Sequence, residues 1–256
     1  MARILITGSA DGLGLMAGQL LAGQGHEIVL HARSEFRAAA ARKALRTAAK
    51  VLIGDVSTIA AMREVADQAN AFGRFDAVIH NVGLGYRERE RVATEDGLSQ
   101  LFAVNTLAPY LLTALIDRPD RLVYLSSGMH RSGDPRLDDL QWGMRPWDGS
   151  QAYADTKLHD AMIAFAVARR WPDICSNAVE PGWVPTRMGG ANAPDDLEEG
   201  AITQAWLAAG EDPETQVTGE YFYHQKPAHV NPASRREDLQ DRLMDYCAEL
   251  TGVEIG

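Results

Sequence analysis

Thr7-Gly8-Ser9-Ala10-Asp11-Gly12-Leu13-Gly14 is the stretch that decides how this chain folds. It follows an apolar run, Arg3 to Thr7, short enough for a strand, and opens a segment of helical pattern, Leu13 to Gln24. Glycines at a strand-to-helix junction let the backbone turn tightly and let a ligand's phosphates come close. The helix that begins there offers free N–H groups and the positive end of its dipole. An ordinary strand-to-helix turn is the bland alternative; position at the first strand and the flanking pattern weigh against it. The loop therefore reads as a dinucleotide cradle, with Gly8, Ser9, Gly12, Leu13 and Gly14 as its contacts.

Working outward, apolar runs alternate with helical patterns along the whole chain. Strands are expected at Glu27 to Ala32, Val51 to Ile53, Phe75 to His80, Leu122 to Leu125, Cys175 to Val179 and Gly219 to His224. Helices are expected at Glu35 to Ala48, Thr58 to Phe72, Leu98 to Leu115, Gln151 to Arg170, Leu197 to Ala209 and Ser234 to Leu250. Pro109 is expected to kink or shift the fourth of the chain's seven helices. Such alternation predicts an α/β fold: one doubly wound Rossmann domain over residues 1–256, with a parallel sheet of about seven strands covered on both faces. Pro- and Gly-rich stretches at 128–149 and 181–195 are long enough to be functional loops.

Bulk properties narrow the partners. A chain of 256 residues with 46% hydrophobic content can bury one large core, and a net charge of −10 argues against nucleic acid and anionic membranes. Cys175 and Cys247 form no disulfide framework and no ligand spacing, so no metal is expected. No stretch approaches the roughly 20 apolar residues needed to span a bilayer. The N-terminal apolar run is too short for a signal peptide, so a cytoplasmic location is expected.

A second motif lies far along the chain, in Ser150-Gln151-Ala152-Tyr153-Ala154-Asp155-Thr156-Lys157. On a helix Tyr153 and Lys157 share a face. An ammonium beside a phenol favours the phenolate, which makes tyrosine a better proton donor to a carbonyl oxygen. Together with the spacing Gly-x-x-x-Gly-x-Gly, this pair resembles the short-chain dehydrogenase/reductase family, from Ile4 to about Val253. Further marks follow in order: Asp55-Val56, His80-Asn81-Val82-Gly83, Asn105, Ser126-Ser127 and Pro181-Gly182-Trp183-Val184-Pro185-Thr186. The second of these keeps two of the four residues of the family's Asn-Asn-Ala-Gly segment.

The resemblance implies roles. Ser127 would hydrogen-bond the carbonyl oxygen and Tyr153 would protonate it. Lys157 would bind the nicotinamide ribose and depress the tyrosine pKa, and Asn105 would hold a water that returns protons. Ser126 competes with Ser127, since alternate strand residues face opposite ways. Asp55 and Val56 would touch the adenine ring. Asn81, Gly83, Pro181, Gly182, Val184 and Thr186 would complete the cofactor site. In this fold an acid at the end of the second strand selects NAD. Here that position is Ala32, followed by Arg33, whose guanidinium suits a 2′-phosphate, so NADPH is expected.

Ser127 and Tyr153 are separated more widely than is usual in the family. The Ser-Ser-x-x-His run and the Asp-Leu segment near 138–140 resemble the retinol-dehydrogenase-like branch. That likeness implies reduction of a small, apolar aldehyde or ketone. Trp142, Met144, Trp147 and Trp183 either line its pocket or anchor a long surface loop. His130 is expected to structure its loop. Residues 128–150 are taken as an active-site loop and 187–200 as a substrate loop, with Arg187 and Met188 of interest there. The alternatives are an imine or activated-alkene reductase using the same site, and a non-catalytic NADPH-binding sensor or scaffold. A homodimer or homotetramer is possible through the small apolar face of the helix from Gln151, which carries Ala161, Met162, Ala164, Phe165 and Ala168; that face could equally pack on its own sheet.

Overall fold

A computed structural model describes residues 1–256. Eight strands form one sheet in the order β3-β2-β1-β4-β5-β6-β7-β8. They are β1 (Arg3–Ile6), β2 (Glu27–Ala32), β3 (Lys50–Ile53), β4 (Ala77–His80), β5 (Arg121–Leu125), β6 (Cys175–Glu180), β7 (Tyr221–Tyr223) and β8 (Lys226–Pro227). Every pairing is parallel except the last, in which β8 folds back on β7. Seven strands were legible as apolar runs. The eighth is two exposed residues, joined by His224 and Gln225 at positive φ (48° and 60°), and carries no pattern of its own.

The strands read as unbroken apolar runs because both faces of the sheet are covered. Side chains alternate between two layers. Leu5, Val29, Val78 and Tyr124 point into one core; Ile4, Ile6, Ile28, Leu30, Ile79 and Val123 point into the other. The second core lies under α1 (Gly12–Gly23), α2 (Glu35–Ala44) and α7 (Glu199–Ala209). The first, larger core lies under α3 (Ile59–Phe72), α4 (Gln100–Phe102), α5 (Ala108–Leu115), α6 (Gly149–Arg170) and α8 (Glu237–Thr251).

Helix α6 is buried on nearly every side, from Ala152 to Ala168. The apolar face considered for oligomerisation is spent inside the chain: Ala161, Met162, Ala164, Phe165 and Ala168 are all buried in it, and Arg235 stacks over the Phe165 ring. Helix α8 lies against α6, and the tail beyond it is tied down by Tyr110 Oη donating to the Val253 carbonyl (2.7 Å) and Arg170 to that of Ile255 (2.9 Å). Between α4 and α5 the helix widens into a π turn, Ala103–Leu107. Pro109 has no N–H to give the Asn105 carbonyl four residues back, which is the disturbance its position predicts. No helix is long and apolar enough to cross a membrane.

Candidate active site

The C-terminal ends of the strands open into a cleft of ≈ 890 Å³. This is where ligands bind in open parallel sheets. The glycine loop forms one wall. Gly8 and Gly12 take positive φ (61° and 55°), which glycine adopts without strain. A Cβ on Gly8 would lie 2.6 Å from the Val82 backbone, and one on Gly14 would lie 2.4 Å from Asn81 Nδ2. Both glycines let the segment that follows β4 approach the loop. Asn81 stitches the two together: Nδ2 donates to the Thr7 and Gly8 carbonyls (3.0 Å each), and its N–H donates to Thr7 Oγ1. On the other side His31 accepts from the Gly8 N–H (3.0 Å) and its second nitrogen meets the Gly54 carbonyl, 2.9 Å away. Burial lowers the pKa of this imidazole. His31 was missed in the sequence, although a polar residue inside an apolar strand was a signal.

Some expected contacts face elsewhere. Ser9 is fully buried: its hydroxyl donates to the Ile6 carbonyl and accepts from the His31 N–H, so it braces the loop and does not line the cleft. Gly14 acts through close packing. Gly182 and Val184 shape the segment after β6, with Gly182 at φ +82° against Asp195 and Val184 buried against Gly200. Gly8, Gly12, Leu13, Arg33, Asp55, Val56, Asn81, Gly83, Pro181 and Thr186 do line the cleft. At its far end Arg33 is exposed and unpaired. Beside it Arg37, also in the lining, is held 2.5 Å from Asp11 of the glycine loop. Neither Asp11 nor Arg37 was singled out beforehand.

The opposite end is built on α6. Tyr153 and Lys157 both border the cleft, with the Lys157 Nζ 5.8 Å from the centre of the Tyr153 ring. Lys157 is almost wholly buried. It donates to the Leu125 carbonyl (2.7 Å) and to Asp160 Oδ2 (2.8 Å). Burial raises the Tyr153 pKa, and Lys157 and Ser127 only partly offset this. The expected depression by lysine is therefore real in sign but outweighed: the phenol stays protonated through neutral pH. The two serines differ in their surroundings, and it is Ser126 that borders the cleft. Ser126 Oγ donates to the Lys157 carbonyl (2.7 Å), whereas Ser127 Oγ accepts from the Met129 N–H (3.3 Å) and favours the Tyr153 phenolate. Asn105 sits on the π turn between α4 and α5. Its side chain is buried and fully engaged, accepting from the Leu84 N–H (2.7 Å) and donating to the Leu84 carbonyl and Thr156 Oγ1. It ties the π turn to the segment after β4.

Around Tyr153, Tyr86 packs edge-on at 5.7 Å and Met188 Sδ lies 3.8 Å from the phenol oxygen. None of Trp142, Met144, Trp147 and Trp183 lines this cleft. Trp142 is buried under Arg145 and donates to Asp155, Trp147 donates to the Glu88 carbonyl, and Met144 and Trp183 are exposed. The 134–148 segment is anchored instead by charge: Arg145 bridges Asp134 and Asp155. His130 is buried, bonded to the Ser127 carbonyl (2.7 Å) and near Tyr221 Oη, and burial drops its pKa to about 4.

Residues 2–119 match the family model described as short chain dehydrogenase. A short-chain dehydrogenase of Gibberella zeae is 41% identical across all of this chain and 99% of its own length. Human retinol dehydrogenase 13 is 28% identical over 98% of this chain and 85% of its own, in keeping with the branch suggested by the Ser-Ser-x-x-His run. A crystal structure of an uncharacterised Mycobacterium paratuberculosis protein has the same fold, with a TM-score of 0.84 at 23% identity, covering 100% of this chain and 95% of that one. A relative matched end to end at this identity, on a sheet with glycine loop and Tyr153–Lys157 helix at its two working ends, settles the kinship: this chain belongs to the short-chain dehydrogenase family of oxidoreductases.

Proposed function

We propose that the chain reduces a carbonyl group of a small, largely apolar molecule, with NADPH as hydride source and Tyr153 as proton donor. The observation that carries this reading is that one cleft joins the glycine loop to Tyr153 and Lys157. The loop suits a dinucleotide. Helix α1 starts without a side-chain cap, and a Cβ on Gly12 would meet no atom within 4 Å, so open space adjoins free N–H groups. Bound there, the cofactor supplies the hydride.

The chain's own residues do the rest. Ser127 donates to the substrate oxygen, and Tyr153, protonated at neutral pH, gives it the proton. Lys157 stabilises the phenolate left behind. Asp55 and Val56 flank the adenine; Asn81, Gly83, Pro181 and Thr186 border the nicotinamide end. The substrate oxygen takes the place that Met188 Sδ holds against the phenol, so the 187–200 segment yields as substrate enters. Residues 128–150 frame the start of α6 from the other side. Leu84, Val104 and Met188 in the lining favour an apolar substrate body.

The cofactor assignment rests on the free Arg33 guanidinium and on Ala32 where NAD enzymes of this fold carry an acid. Arg33→Ala is expected to weaken NADPH binding by about 10- to 100-fold, the value of a charge-assisted hydrogen-bond pair, and to leave NADH binding unchanged. Titration of both nucleotides against both proteins measures this. Tighter binding of NADH than NADPH by the wild type would remove the assignment.

A further inference from the structure

Lys157 has a partner that the Tyr-x-x-x-Lys motif does not specify. Asp160 lies one helical turn on, its Oδ2 2.8 Å from Nζ, with both side chains about 95% buried. It is the only carboxylate paired with this lysine. Burial disfavours an ammonium strongly enough to bring buried lysines down to neutrality when nothing compensates. Here Asp160 supplies the compensation, and the net effect is a Lys157 pKa above its ordinary value. The pair also fixes direction. An ammonium has three N–H bonds. The Leu125 carbonyl takes one and Asp160 another, which leaves one for the side of the cleft at Gly83, where a Cβ would lie 3.6 Å from Nζ.

We propose that Asp160 is a positioning residue of the reaction, holding the buried Lys157 side chain charged and aimed so that Tyr153 keeps a cation beside it. This rests on the reading of Tyr153 and Lys157 given above. The groups around Asp160 are Lys157 and Tyr153 on α6, Tyr124 on β5 and Tyr221 on β7; the three phenols are each pushed further from ionisation by its charge. No second cation pairs with Asp160 and no second carboxylate pairs with Lys157. Burial raises the Asp160 pKa to about 6 even with Lys157 beside it, so the ion pair is complete above that pH and weakens below it.

Asp160→Asn keeps size and a hydrogen-bond acceptor and removes only the charge. The wild type and this variant are compared in kcat/KM for carbonyl reduction across pH. The expected result is an alkaline limb moved down by about one pH unit or more because Lys157 then loses its proton before the phenol does, with the difference narrowing below about pH 6, where the wild-type carboxyl is itself neutral. A limb that moves while the Lys157 titration stays put reports only the charge removed from beside Tyr153 and overturns the proposal. Asp160→Glu restores the limb. A loss by the same factor at every pH is what a merely structural residue gives, and would overturn the proposal. A second readout needs no turnover. The chain has four lysines, Lys43, Lys50, Lys157 and Lys226, so the ε-carbon of Lys157 is resolvable in carbon-13 lysine-labelled protein, with Lys157→Arg assigning the signal. Its titration in Asp160→Asn is expected at least about one unit lower. An unshifted Lys157 titration refutes the role of Asp160 even if the enzyme turns out to reduce something other than a carbonyl.

Discussion

Tyr153→Phe lowers kcat for carbonyl reduction by about a hundred- to ten-thousand-fold, the range of a lost general acid, while NADPH affinity changes little. The substitution removes one oxygen. It leaves the ring's edge-on contact with Tyr86 and its place in the small cluster with Leu101, Trp142 and Ala152. The loss is therefore chemical rather than structural. The sign of the pH dependence follows from the environment. Burial holds the phenol above its ordinary pKa, so the proton is present at neutral pH and reduction falls only on the alkaline side. In the reverse direction the phenolate is needed, and alcohol oxidation rises as pH increases through the same pKa. Rate profiles in both directions check this. A kcat of Tyr153→Phe within about threefold of wild type, well short of the range for a lost acid, would remove Tyr153 as the donor.

Lys157→Met has the largest expected effect on stability. It strands the Asp160 carboxylate in the core without its partner, which costs about 3–5 kcal/mol for a broken buried pair. Some of that cost is avoided by protonation, because the Asp160 pKa already lies near 6. Unfolding by denaturant should thus show a deficit that shrinks as pH falls toward 5. The double variant Lys157→Met/Asp160→Asn removes both charges and recovers most of the stability, but activity stays low because Tyr153 then has no cation. A double variant as unstable as the single one would mean that the lysine stem, not the ion pair, supports the core.

These effects sit on a framework that was largely legible. Strand β2 falls on the predicted residues because Ile28 to Ala32 is an apolar run covered on both faces, and the glycine loop announced α1 through the strand before it. What stayed hidden depends on distant partners. Ser9 looked like a ligand contact from its place in the loop; only the position of His31 shows that its hydroxyl is spent. Asn105 was legible as a helix asparagine, but its side-chain bonds to Leu84, 21 residues away, carry no sequence signal. The tryptophans of the 142–147 segment suited either a pocket wall or a loop anchor, and the Asp155–Arg145 pair that folds this segment back carries no sequence period. Asp160 was visible as one helical turn beyond Lys157, but only burial makes that spacing matter.

Hydride transfer from deuterium-labelled NADPH to a panel of apolar aldehydes, cyclic ketones and diketones tests the central claim most directly. The predicted result is cofactor oxidation with deuterium on the carbinol carbon of the product, and far slower oxidation with NADH. Confirmed NADPH binding with no transfer to any carbonyl, or transfer only to imines or activated alkenes, would contradict it.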